Sequence, residues 1–176
     1  MAKRALSTVA AAAISSGCGS RPAIWLLKSE PADYSISMME RDTTTQWDGV
    51  RNPVARKNMR AMKAGDRCFF YHSSCSKVGI VGVVSVCKEA YPDPSDEKWA
   101  CVDVKHEETW GEILPLEALK SHATTALDGM TLFRQPRLSV QPVSQEHAEF
   151  IIKLASEPSA TNGGTKGKGG KRSRAE

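Results

Sequence analysis

Apolar residues come in short runs along this chain, and polar residues gather where each run stops. Ile24-Trp25-Leu26-Leu27 is followed by Lys28-Ser29-Glu30-Pro31, which predicts a buried strand that proline terminates. Residues 34–41 suit a short helix capped by Ser35. Pro53 suits the first turn of a second helix, with Asn52 as its cap and Val54, Met59 and Met62 as its apolar stripe. Gly65-Asp66 ends that helix and turns the chain. Strands are predicted over residues 67–72, 78–87, 98–105 and 138–140, with Trp99, Cys101 and Asp103 alternating in the third. Gly79 and Gly82 interrupt the second of these, marking bends or close approaches of the backbone. Residues 116–120 give a helical turn or two after Pro115, and Ser144 caps a last helix in which Ala148, Ile151, Ile152 and Ala155 face inward. The connections are too short for successive crossovers. The pattern therefore predicts an α+β protein built on a small curved sheet or barrel with peripheral helices, rather than a doubly wound fold.

Three strings combine aromatic, amide, hydroxyl and basic groups: Trp25-Leu26-Leu27-Lys28-Ser29-Glu30-Pro31, Trp47-Asp48-Gly49-Val50-Arg51-Asn52 and Phe69-Phe70-Tyr71-His72-Ser73. Such mixtures are expensive to bury without partners, so a ligand is a natural use for them. Lys28 at a strand end either binds a carbonyl or phosphate oxygen or simply reaches solvent. Trp47 offers a stacking face or fills the core. Arg51 and Asn52 carry the fork donors and carboxamide that read base edges, although Asn52 also serves as a helix cap and Arg56 suits a surface ion pair. Tyr71, His72 and Ser73 form either a second wall of one pocket or a strand terminus with local turns. No metal-ligand spacing, nucleophile–base pair or phosphate loop is present, so catalytic residues, metal sites and cofactors are not expected. His106, His122 and His147 read as surface residues.

Charge and composition locate the ends of the domain. The chain has 176 residues and a net charge of +4, yet residues 23–158 total −3. Lys3, Arg4 and Arg21 stand without an acid in residues 1–22, an Ala- and Ser-rich leader with the composition of a mitochondrial presequence. Residues 157–176 form a Gly- and Lys-rich tail ending in Lys171, Arg172 and Arg174, which suits disorder, nonspecific phosphate contact and nuclear import. The nucleus is the expected location, with the mitochondrion as the alternative. The cysteines show no redox or metal spacing, and Cys68, Cys87 and Cys101 read as small buried residues of a reducing compartment. No apolar run is long enough to span a membrane, and the expectation is a monomer without a membrane partner.

The three strings resemble the signatures of the EVE domain, a relative of the PUA and YTH folds. The likeness continues in order through Gly65-Asp66, Gly79-Ile80-Val81-Gly82, Glu89-Ala90-Tyr91-Pro92-Asp93, Lys98-Trp99 and the run from Leu132-Phe133-Arg134-Gln135-Pro136-Arg137 to Leu138-Ser139-Val140-Gln141-Pro142-Val143. It spans roughly residues 23–155, so the domain is placed at 23–156. The stretch from Asp93 to Trp99 is shorter than in many members. The resemblance implies a PUA-like pseudo-β-barrel with a central pocket for a modified nucleobase, modified cytosine in DNA or a modified base in RNA. By motif, the pocket candidates are Lys28, Ser29, Trp47, Val50, Asn52, Tyr71, His72, Ser73, Arg137 and Ser139. The expected function is a non-enzymatic nucleic-acid reader that accepts one flipped or single-stranded base. The competing readings are a small PUA- or ASCH-like hydrolase using Lys28, Glu30, Tyr71 and His72, and a protein-interaction module.

Overall fold

A computed structural model of the chain describes residues 21–157. Its strands are β1 (Ile24–Ser29), β2 (Thr44–Trp47), β3 (Arg67–His72), β4 (Gly79–Asp93), β5 (Asp96–Pro115) and β6 (Val140–Val143), and they form one sheet in the order β2-β5-β4-β3-β1-β6. Its helices are α1 (Ile36–Asp42), α2 (Pro53–Ala61), α3 (Leu116–Lys120), α4 (Thr131–Arg134) and α5 (Gln145–Ser156). The architecture is α+β, and the curved sheet stays open between its β2 and β6 edges. β1 runs parallel to β3, while the other pairings are antiparallel.

Side-chain alternation divides the core in two. Trp25 and Leu27 of β1 and Cys68 and Phe70 of β3 pack with Ile36 and Met39 of α1 and Ala55 and Met59 of α2. Leu26, Phe69 and Tyr71 point the other way, toward Leu119 of α3, Leu132 of α4 and Ala148 and Ile151 of α5. Strands covered on both faces read as unbroken apolar runs, which is why β1 and β3 were recognisable as buried strands. Ser35, Asn52 and Ser144 cap α1, α2 and α5 as expected, each accepting a backbone N–H of the first turn. Gly65 takes φ of 92° in the turn after α2, a conformation that disfavours other residues. At Gly82 the expected close approach is real: a Cβ there would lie 2.3 Å from the Glu108 carbonyl oxygen.

Asp66 fastens the start of β1 to the end of α2. It is 4% exposed, and its carboxylate accepts the Trp25 indole N–H at 2.9 Å, the Ala23 N–H at 2.9 Å and the Lys63 N–H at 3.0 Å. The start of β1 and the turn that follows α2 are thereby fixed by one side chain.

Several expectations need correction. Val54 is 50% exposed rather than part of the α2 stripe, because the inward positions are Ala55, Met59 and Met62 at spacings of four and three. Ala155 is exposed and Ile152 only half-buried on α5. Cys87 is exposed because strand alternation points Val84 and Val86 into the core and leaves Cys87 on the opposite face with half-buried Ser85. β4 and β5 run well past their expected ends into a long ribbon, and neither β2 nor α4 was expected. The leader, Cys18, and the tail with Lys171, Arg172 and Arg174 lie outside the described residues.

Candidate functional site

The N-terminus of α2 faces the segment that joins α4 to β6. Between them lies a cleft of about 280 Å³ lined by Asn52, Val54, Gln135, Pro136, Arg137 and Leu138. Asn52 spends only one end of its carboxamide on the helix: Oδ1 accepts the Val54 and Ala55 N–H groups at 2.8 and 3.1 Å. Its Nδ2 has no partner among the described residues. Val54 is the exposed large apolar side chain among the described residues, and it stands in this cleft. The Arg137 side chain is exposed on the opposite wall.

That opposite wall is held from below by its carbonyl groups. Lys28 donates Nζ to the Pro136 carbonyl at 2.7 Å, and its backbone N–H to the Ser139 carbonyl at 2.9 Å. Gln141 is wholly buried and donates Nε2 to the carbonyls of Gln135 and Leu138 at 3.1 and 2.8 Å. Its Oε1 has no partner among the described residues. With four carbonyls drawn inward, the segment presents the Arg137 side chain outward. The Lys28 ammonium also lies 5.3 Å from the centre of the Tyr71 ring, and burial pushes its pKa down to about 8. Near neutral pH Lys28 stays mostly protonated and keeps its bond to Pro136; above about 8 that charge is lost.

The remaining candidates sit elsewhere. Parallel pairing sets Lys28 beside Tyr71 and Ser29 beside His72, so two of the three strings do end side by side. Their side chains, however, make internal bonds. Ser29 donates Oγ to the Tyr34 carbonyl at 2.7 Å, and Ser73 donates its N–H and its Oγ to the Ser29 carbonyl at 2.8 and 3.3 Å. Tyr71 is buried in the core half that holds α5, which raises its pKa to about 12. Trp47 and Val50, each 8% exposed, belong to the same core cluster as Ala55 and Leu138, on which the cleft rests. The Trp47 ring meets Phe70 edge-on, with centroids 5.5 Å apart. Of the ten candidates, Asn52 and Arg137 line the cleft and Lys28 and Ser139 hold its wall.

Arg51 and Arg56 are engaged as well. Arg51 binds Asp93 at 2.7 Å and Ser95 at 2.9 Å, and Arg56 donates to the Lys98 carbonyl at 2.6 Å rather than to an acid. Their guanidinium groups lie 5.7 and 5.2 Å from the Trp99 ring centre. Hydrogen bonds from Ser95, together with Arg51, hold the Asp93 carboxyl well below the usual carboxylate range. The short tip between β4 and β5 is thus tied back to the start of α2.

His72 acts as an acceptor. Its Nε2 takes the Ile36 N–H at 3.1 Å at the start of α1, while its ring packs against Phe70. The imidazole must be neutral for this, and burial lowers its pKa from 6.5. A lowered folded-state pKa gives a contribution that is present above about 6.5 and lost as the pH falls through the folded value. Thermal melts at stepped pH should show stability falling below pH 6.5, and His72→Phe should flatten that part of the profile. An unchanged slope in the variant would assign the acid sensitivity to other groups.

Among the lining residues, Val54, Gln135, Pro136 and Leu138 were not singled out from sequence, nor was Gln141 as a support. Val54 carried a signal: with Asn52 as cap, the four-and-three spacing already leaves it off the inward face.

The fold is thus an open sheet clad by helices on both faces, with a cleft beside a capped helix. The EVE domain family matches residues 23–154, and the chain belongs to that family. Thymocyte nuclear protein 1 of Mus musculus is 43% identical, over 77% of this chain and 75% of the mouse protein. The protein of the same name from Homo sapiens is 40% identical, over 77% of this chain and 75% of its own length. Among solved structures, human THYN1 in complex with DNA containing 5-methylcytosine superposes with a TM-score of 0.73 at 36% identity, covering 77% of this chain and 99% of that one. A hypothetical protein from Leishmania major gives 0.71 at 39% identity, over 76% and 94% of the two chains.

Proposed function

We propose that this protein is a non-enzymatic reader of modified cytosine in DNA, which takes one base into the cleft between α2 and residues 135–138. The carrying observation is the set of groups left unspent there. Asn52 offers an amide donor, Arg137 a guanidinium and Val54 an exposed isopropyl group around one small cavity. A donor and a cation recognise base edges and phosphate, and an apolar side chain is the partner a base methyl needs. The complex of human THYN1 with 5-methylcytosine DNA, at 36% identity, supports the ligand class. The relatives' name supports the nucleus. In the enzymatic alternative, Lys28, Tyr71 and His72 have to converge. Tyr71 belongs to one half of the core, whereas His72 packs with Phe70 of the other.

The test is binding to oligonucleotides that carry cytosine or 5-methylcytosine, as DNA and as RNA, with product analysis by mass. The expected result is preference for methylated DNA without turnover. Val54→Ser should narrow that preference by roughly 3- to 5-fold, about the worth of one buried methyl group. Arg137→Ala should weaken both ligands. Equal affinity for both bases, or product formation, overturns the reading.

A further inference from the structure

We propose that the outer face of α2 is a track for the phosphate backbone of the strand whose base enters the cleft, with Lys57 and Arg60 as its contacts. The inference rests on the reader assignment above and adds the surface on which the strand lies. α2 carries Arg56, Lys57 and Arg60 and no acidic residue, whereas residues 23–158 as a whole total −3. Positive charge is therefore concentrated on this helix against an acidic background. Three exposed cations nearby are already neutralised: Lys63 by Glu89, Lys88 by Asp103 and Arg51 by Asp93. Arg56 is turned toward Trp99 and the Lys98 carbonyl. Lys57 and Arg60 are exposed and have no ion pair or hydrogen bond among the described residues.

Their positions extend the cleft. Lys57 follows Val54 by three residues and Arg60 follows by three more, so the three run obliquely across the outer face of the helix, each step advancing about 4.5 Å and turning about 60°. A strand leaving the cleft past Val54 meets the two cations in succession, while Arg137 stands on the other wall. A cation in the last turn also suits the helix dipole, which accounts for Arg60 but not for Lys57. A polyanion is the occupant that this arrangement fits, because contact there displaces condensed counterions and leaves no protein carboxylate unpaired.

The experiment measures affinity against salt concentration for methylated and unmethylated DNA, using the full chain and the double variant Lys57→Gln/Arg60→Gln. Lys120→Gln, on α3, serves as the control. The double variant should lower affinity roughly tenfold or more at low salt and reduce the log–log salt slope by about 2. The ratio between methylated and unmethylated DNA should stay unchanged, as should the control's slope. An unchanged slope in a folded double variant overturns the track. So does a slope that Lys120→Gln reduces equally, since the charge effect would then not belong to α2. A protein that shows the α2-dependent slope but does not distinguish methylated from unmethylated DNA keeps the track and refutes the base reader.

Discussion

Trp47→Ala is expected to unfold the protein before it affects any ligand. The indole is 8% exposed and packed edge-on to Phe70, in the core that also contains Val50, Met59 and Leu138. Truncating a buried tryptophan removes its transfer energy and leaves a cavity, together about 3–5 kcal/mol. That is a large part of the 5–15 kcal/mol typical of a domain. Urea denaturation should show a much lower midpoint at similar steepness, and Trp47→Phe should recover part of the loss by keeping an aromatic edge against Phe70. If Trp47→Ala instead melts within about 1 kcal/mol of the wild type and loses DNA binding, the indole is a stacking platform for the base.

Asp66→Ala should be comparably severe, for a different reason. No large volume is lost, but the Trp25 indole N–H and the Ala23 and Lys63 amides lose their acceptor together. A buried donor left without a partner costs about 1–3 kcal/mol, so the expected loss is about 3 kcal/mol or more. Asp66→Asn should fall between, because it keeps one oxygen and turns an NH₂ toward a donor. Trp25→Phe in the Asp66→Ala background separates the effects. The second substitution should cost less there than in the wild type, because the indole bond is already gone. Additive losses would show that the indole bond contributes nothing.

These two residues also show what the sequence conveyed. Trp47 stands among Asp48, Gly49, Arg51 and Asn52, and that company suggested a ligand; in the fold its ring turns into the core while Arg51 turns to Asp93. A string of mixed residues identifies where polar groups gather, not which of them face out. Caps and buried strands were legible because they depend on local chemistry: Asn52 before Pro53, Ser144 before α5, four apolar residues in β1. β2 was missed because Thr44, Thr45 and Gln46 are polar residues on a sheet edge, with only Trp47 buried. The end of β4 was missed because Lys88, Glu89 and Pro92 break its apolar run, and the end of β5 because His106, Glu107, Glu108 and Glu112 disguise a strand that pairs with the start of β4 and brings Leu114 into the core. The cleft's second wall was legible only through family likeness. It is shaped by Lys28 and Gln141 pulling on carbonyl groups, and those contacts join residues more than a hundred positions apart in the case of Lys28 and Pro136.

Chain order and sheet order disagree at β1, and this bears on how the protein folds. β1 is made first but lies between β3 and β6, and its parallel partner β3 follows only after α1, β2 and α2. β3, β4 and β5 can zip together as successive antiparallel neighbours, whereas seating β1 requires closing a long loop. β6 has β1 as its strand partner and so waits for it. The wall that carries Arg137 enters directly into β6, which makes it among the last parts of the domain to be assembled. By the same logic it is among the easiest to loosen without unravelling the β3-β4-β5 meander.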